Sequence, residues 1–206
     1  YTAHIEVGQY LPDWRPKSDY RTGVSAQNSL GGGALLELSH ELDYATWLFG
    51  YPKSIYAVKD KLSSLEIDVE DTAHVLMQYS DKHVLVKMDF LQRVATMFLK
   101  IIGEKGNIEA NLIKEEIKLI NPDNPSGKIL NNDTLLDSND IYLRQFDLFF
   151  YKAFKEYSPI FKDTKKNDDF STIDQAIKVL ELVNLAKKSS DNGMRLDFIT
   201  NNQILN

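Results

Sequence analysis

Between Ser54 and Ile120 the chain is a succession of short runs, "SIYAVKDKL", "DTAHVLMQY", "KHVLVKMDFLQR", "TMFLKIIG", "GNIEANL" and "EEIKLI", separated by turn formers. Their β-branched and aromatic content and their period-two patterning read as strands. "YSDKH" and "GEKGN" are short enough to join antiparallel neighbours as hairpins. The expected fold is therefore α+β, an open, mainly antiparallel sheet of about six strands with helices packed on one face. A half-buried strand is also written at the start, where Ala3, Ile5 and Val7 alternate with Thr2, His4 and Glu6.

Helical patterning flanks these strands. Leu35, Leu38, Leu42, Ala45 and Phe49 recur at the helical period, and Gly50 and Pro52 follow, so the spacing predicts one helix from Gly33 to Phe49. "DIYLRQFDLFFYKAFKEY" and "STIDQAIKVLELVNLAKKSS" predict two more, the last opened by Ser171 as N-cap with Asp174 in its first turn. Residues 124 to 139 are polar and carry no assignment. At 206 residues and 43% hydrophobic, the chain can bury one sizeable core, and residues 1–206 read as a single domain.

The sequence has no cysteine, which excludes disulfides, thiolate metal sites and a Cys nucleophile, and fits a cytoplasmic location. The net charge of −6 is dispersed, with no basic run to follow a phosphate track, so nucleic acid is not an expected partner. No apolar stretch approaches the roughly 20 residues of a membrane span, and "YTAHIEVGQY" lacks the charged and apolar regions of a signal peptide. A chain opening in mid-sheet without Met reads as a fragment of a longer protein.

The chemistry concentrates in "GGGALLELSHELDYATWLFG", residues 31 to 50. A helix advances about 100° per residue, so Glu37 and Asp43 would flank His40 at roughly 60° to either side. An imidazole there, titrating ordinarily near neutrality, suits general acid or base work. The plainer reading is a surface or satisfied-core histidine. Imidazole with carboxylates also suits Zn or Fe, but "HELDY" lacks the second His of the H-E-x-x-H motif, and His4, His74 and His83 fall on expected strands. No metal is expected. Gly31, Gly32 and Gly33 could cradle a phosphate at a helix N-terminus or simply let the chain turn tightly, and neither G-x-G-x-x-G nor G-x-x-x-x-G-K is present.

Residues 9 to 30, "QYLPDWRPKSDYRTGVSAQNSL", form a long loop in which Pro12 and Pro16 prevent regular structure. Asp13, Trp14, Arg15, Asp19, Tyr20 and Arg21 bring ring faces and both charge signs together, which suits a polyhydroxylated or carboxylated ligand. Trp14 and Tyr20 could equally anchor the loop to the core. Arg93, in "FLQRVAT", is a further candidate anion partner or a surface residue.

The glycine-rich helix segment resembles the C-terminal domain of the Gfo/Idh/MocA family, relatives of glucose-fructose oxidoreductase and inositol dehydrogenase. "VLVKMDFLQRVATMFLKIIGEKGNIEANL" is similar to the family's strands with their G-x-x-G-x-I turn, and "GQYLPDWRPKSDYR" is similar to the active-site loop of members acting on sugars or nucleotide-linked sugars. The resemblance implies a domain of the dihydrodipicolinate-reductase-like or glyceraldehyde-3-phosphate-dehydrogenase-like C-terminal type. It implies an NAD(P)-dependent dehydrogenase of a sugar, nucleotide-sugar or polyol, with NAD or NADP bound by a preceding Rossmann domain that also carries the catalytic Lys. His40 then matches the proton-relay His and Asp43 the acid that follows it. The family's preceding acid is an Asp four residues before the His, whereas Glu37 stands three before. Trp14, Arg15, Tyr20, Arg21 and Arg93 become candidate substrate contacts, and no cofactor-binding residue is assigned to this chain. A homo-oligomer through the sheet face is implied, and the isolated chain is expected to be inactive. The other reading is a non-catalytic sheet module for oligomerisation or small-ligand binding.

Overall fold

The computed structural model describes residues 1–114, 116–130 and 173–198. The chain divides into two compact units, Tyr1–Leu130 with Ala176–Asn206, and Asn131–Gln175. The architecture that follows is that of the first. The helix expected over 140 to 157 and the cap expected at Ser171 lie outside the described residues.

In chain order the strands are β1 (Thr2–Gly8), β2 (Ser54–Asp60), β3 (Thr72–Gln78), β4 (His83–Asp89), β5 (Thr96–Gly103), β6 (Gly106–Asn111), β7 (Glu116–Asn121), β8 (Asn124–Leu130) and β9 (Leu196–Asp197). They form one sheet in the order β8-β7-β6-β5-β1-β4-β3-β2-β9. The described sheet thus has nine strands, more than the six expected. The six runs of residues 54 to 120 are β2 to β7, and both expected hairpins are present. β1 is the strand expected from the alternation at the start of the chain, and the additions are β8 and β9. β8 formed from a segment whose Pro125 and Gly127 hide a strand pattern, and β9 is two residues long.

β1 lies in the middle of the sheet, parallel to β4 and antiparallel to β5, and every other pairing is antiparallel. The alternation in the sequence becomes two faces. Ala3, Ile5, Ala73, Val75, Met77, Val84, Val86 and Met88 are buried on the inner face. The outer face carries Tyr56, Leu76 and Leu85 with the cross-strand ion pairs Lys87–Glu6 at 2.9 Å and Lys100–Glu109 at 2.8 Å.

The single helix expected from Gly33 to Phe49 is two: α1 (Ala34–Glu37) and α2 (His40–Phe49). Between them, Ser39 N–H donates to the Leu36 carbonyl, Glu41 N–H to Leu38 and Leu42 N–H to Ser39, a tightened i to i−3 turn. α1 and α2 pack on the inner face, α1 against β3 and β4, α2 against β1 and β4. Leu35 and Leu42 are sealed there, each such burial contributing about 1.5–3 kcal/mol. α2 ends as the sequence predicts, with Gly50 at φ 77° and its N–H on the Thr46 carbonyl. The long α3 (Ile173–Asn192) buries Val179, Leu182, Val183, Ala186 and Ser189 along one stripe.

Candidate functional site

Where β1 ends and β5 begins, the chain crosses from β4 over the end of β1. Asp89, buried at the close of β4, accepts hydrogen bonds from the Leu91 and Gln92 N–H groups and from Gln92 Nε2, and so shapes this crossing. A side chain on Gly8 would collide with Gln92, which explains why β1 finishes on glycine.

An open groove of about 290 Å³ lies at this end of the sheet. Its walls are Val7, Gly8 and Gln9 from β1 and the residue after it, Ala95, Thr96 and Met97 at the start of β5, and Ile113 beyond β6. Leu38 and His40 at the α1–α2 turn and Trp14 from the proline-bearing loop complete it. Apolar walls with a few polar groups are what a small-molecule site offers.

His40 is the first residue of α2, and its side chain is 48% exposed. Its Nε2 lies 3.3 Å from Oε1 of Glu41, whose side chain is fully buried. Glu37 and Asp43, expected to flank the ring, are engaged elsewhere or stand apart. Glu37 Oε2 accepts from Ser25 Oγ at 2.6 Å, tying α1 to the loop. Asp43 is half-buried, its carbonyl accepts from Thr46 Oγ1, and its carboxylate is not within ion-pairing distance of His40. The tightened turn at Leu38–Ser39 takes Glu37 off the wheel that carries His40, whereas Asp43 shares α2 with His40 and still does not reach it.

The candidate loop residues separate into two groups. Trp14 lines the groove and also a second, much smaller crevice of about 30 Å³ with Arg15, Asp19 and Tyr20. Its indole is fixed by an Nε1 donation to the Gln9 carbonyl at 3.1 Å and an edge contact on Phe90 at 5.3 Å. Arg15 is exposed at the smaller pocket, its carbonyl accepting from Ser18. Arg21 instead grips Asp19 at 2.8 Å and Glu66 at 2.9 Å, and its hydrogen bonds hold the Asp19 carboxyl below the usual carboxylate range. Tyr20 accepts from the Glu66 N–H at 3.2 Å. Arg21 and Tyr20 therefore clasp the loop to the β2–β3 connection. The Arg93 guanidinium sits 3.4 Å from the Tyr10 ring centroid and lines neither cavity.

The three glycines have a structural account. The Glu70 carboxylate accepts the Leu35 N–H at 3.2 Å, and a side chain on Gly33 would collide with it. Gly32 is pressed against the Val24 and Ser25 backbone. A carboxylate already occupies the start of α1, so a dinucleotide pyrophosphate would meet like charge there, and this turn does not fit NAD. Among the described residues no three His, Asp or Glu side chains gather at metal-ligating spacing. No described helix is long and apolar enough to cross a membrane.

Sequence reasoning missed Glu41, Glu66 and Glu70. Only Glu41 stood within the quoted motif, and a carboxylate is ordinarily read as a surface residue.

A family model described as the C-terminal alpha/beta domain of an oxidoreductase family matches residues 2–198. No curated protein matches the sequence. Among solved structures, levoglucosan dehydrogenase in complex with NADH is 14% identical with a TM-score of 0.74, over 97% of this chain and 58% of that one. The WlbA dehydrogenase from Bordetella pertussis, in complex with NADH and UDP-GlcNAcA, is 16% identical with a TM-score of 0.68, over 98% and 56%. An oxidoreductase from Agrobacterium radiobacter with NAD+, L-tartaric acid and magnesium is 16% identical with a TM-score of 0.69, over 96% and 56%. At these identities the likeness is one of fold, and this chain spans a little over half the length of each of these proteins.

Proposed function

This chain belongs to the Gfo/Idh/MocA oxidoreductase family as its C-terminal α/β domain, and from that premise we propose that it is the substrate-holding half of an NAD(P)-dependent dehydrogenase. The substrate class is a sugar, a nucleotide-linked sugar or a related polyol. The observation that carries the reading is His40, half exposed and lining a groove with Trp14. In that groove the face of a sugar ring would pack on the apolar walls formed by Trp14, Val7 and Met97, and a hydroxyl would reach the imidazole. His40 takes the hydroxyl proton during oxidation and returns it in the reverse direction. Arg15 at the neighbouring pocket would receive a charged or nucleotide-linked extension, while Arg21 and Tyr20 keep the loop in place. Arg93 and Asp43 remain candidate contacts that closure of a bound site would have to bring inward.

The turn of three glycines does not fit a dinucleotide, so redox chemistry is assigned to a cofactor, NAD or NADP, held outside this chain. Neighbours named for sugar ligands, levoglucosan dehydrogenase among them, support the substrate class by likeness of fold. We also place a homo-oligomer contact on the outer sheet face, where Tyr56, Val58, Leu76 and Leu85 are exposed. A cytoplasmic location fits the cysteine-free composition.

The test is His40→Ala in the complete enzyme that carries this chain. Turnover is expected to fall about a hundredfold or more. Turnover equal to the parent would remove His40 from the reaction.

A further inference from the structure

Three carboxylates are buried among the described residues: Glu41, Asp71 and Asp89. Two of them explain themselves as turn builders. Asp71 accepts from the Leu62 and Ser63 N–H groups and from Ser63 Oγ, and Asp89 from the loop after β4. Glu41 accepts no hydrogen bond from any protein group of good geometry, although its side chain is entirely enclosed. Two proton-bearing groups face it, the His40 ring, Nε2 to Oε1 at 3.3 Å, and the Tyr44 hydroxyl one turn on. The Tyr44 hydroxyl is buried as well, and burial first and the neighbouring Glu41 carboxylate second keep it un-ionised.

A buried carboxylate is costly unless something nearby needs its charge. The geometry assigns Glu41 as the residue that positions His40, holding Nε2 toward the interior and leaving Nδ1 free for a ligand hydroxyl. This rests on reading His40 as the proton carrier, and it replaces the Glu37 and Asp43 pair with a neighbour one residue along. Nδ1 makes no hydrogen bond to the described residues, consistent with a nitrogen kept for the groove. With the Nε2 proton on the side of the Glu41 carboxylate, Nδ1 presents its lone pair. As a substrate O–H bond breaks, an Nδ1–H bond forms, and the resulting imidazolium lies against the Glu41 carboxylate. Glu41 touches no ligand itself; it acts through the ring.

The test uses this chain labelled with 15N-histidine. His4, His74 and His83 stand on β1, β3 and β4 and report whether the sheet is intact. A His40 Nε2 proton protected from solvent exchange is expected in the parent chain and in Glu41→Gln, whose amide oxygen still accepts. In Glu41→Leu its exchange should be at least about tenfold faster, with the three strand histidines unmoved. In the complete enzyme, Glu41→Leu should lower kcat about tenfold or more with little change in KM, and Glu41→Gln should restore most of it. A parent chain with no protected Nε2 proton, or a Glu41→Leu variant with unaltered exchange or unaltered kcat, overturns the assignment. If His40→Ala still abolishes turnover in that event, the proton carrier stands and only its positioning by Glu41 falls.

Discussion

At Gly33 a side chain would have to share space with the Glu70 carboxylate, and the backbone there sits at φ 111°, where L residues are strained. Gly33→Ala is expected to destabilise the chain by about 1–3 kcal/mol from the backbone alone, with more from the displaced carboxylate. Gly50 is the control, since its φ is 77° but nothing lies near an added Cβ, so Gly50→Ala should cost less. Urea denaturation of the two variants measures the difference, and equal midpoints would contradict the packing at Glu70. The need for glycine was legible in the sequence, whereas its reason was not. A partner 37 residues further on, at Glu70, leaves no local signature in "GGGALL". The same holds for Glu41. Adjacent residues of a helix point about 100° apart, so spacing alone does not pair Glu41 with His40, although both open α2 and their side chains come within 3.3 Å.

At the level of elements, period-two alternation made β1 to β4 visible because one face of each is largely sealed and the other is not, while β5 to β7 were legible from their β-branched and aromatic content and short turns. β8 was not visible, since it carries Pro125 and Gly127 and exists through its pairing with β7, with a register shift between Leu119 and Asn121. The break between α1 and α2 was hidden for the opposite reason, because no Gly or Pro marks it. Another contact between elements beyond sequence reading closes the end of β2. β9 pairs only with Ser54 and Ile55, and further along the strand the N–H groups of Ala57 and Lys59 donate to Ser189 Oγ at 3.0 Å and Ser190 Oγ at 2.9 Å from α3. Two serine hydroxyls thus stand in for a missing strand. Ser189→Ala strands the buried Ala57 N–H and takes the donor from the Met194 carbonyl, and should cost about 1–3 kcal/mol. A urea midpoint shift without a change in m checks it.

For the molecule as a whole, the outer sheet face is the surface whose composition asks for company. Leu76 is 41% exposed and stands beside Leu85 and Tyr56 in register, flanked by the ion pairs on β1, β4, β5 and β6. Leu76→Asp leaves the inner core untouched, so the fold should persist while self-association weakens by an order of magnitude or more. Sedimentation velocity across a concentration series reads this, and a parent chain that stays monomeric throughout would end the assignment of that face to self-contact. The central place of β1 has a temporal corollary. β1 has its two flanking partners at residues 83–89 and 96–103, so once made it must wait, unpaired, until the chain has grown through both. Excising it would leave a left and a right ladder with no common seam, so the sheet is finished at β1 rather than begun there.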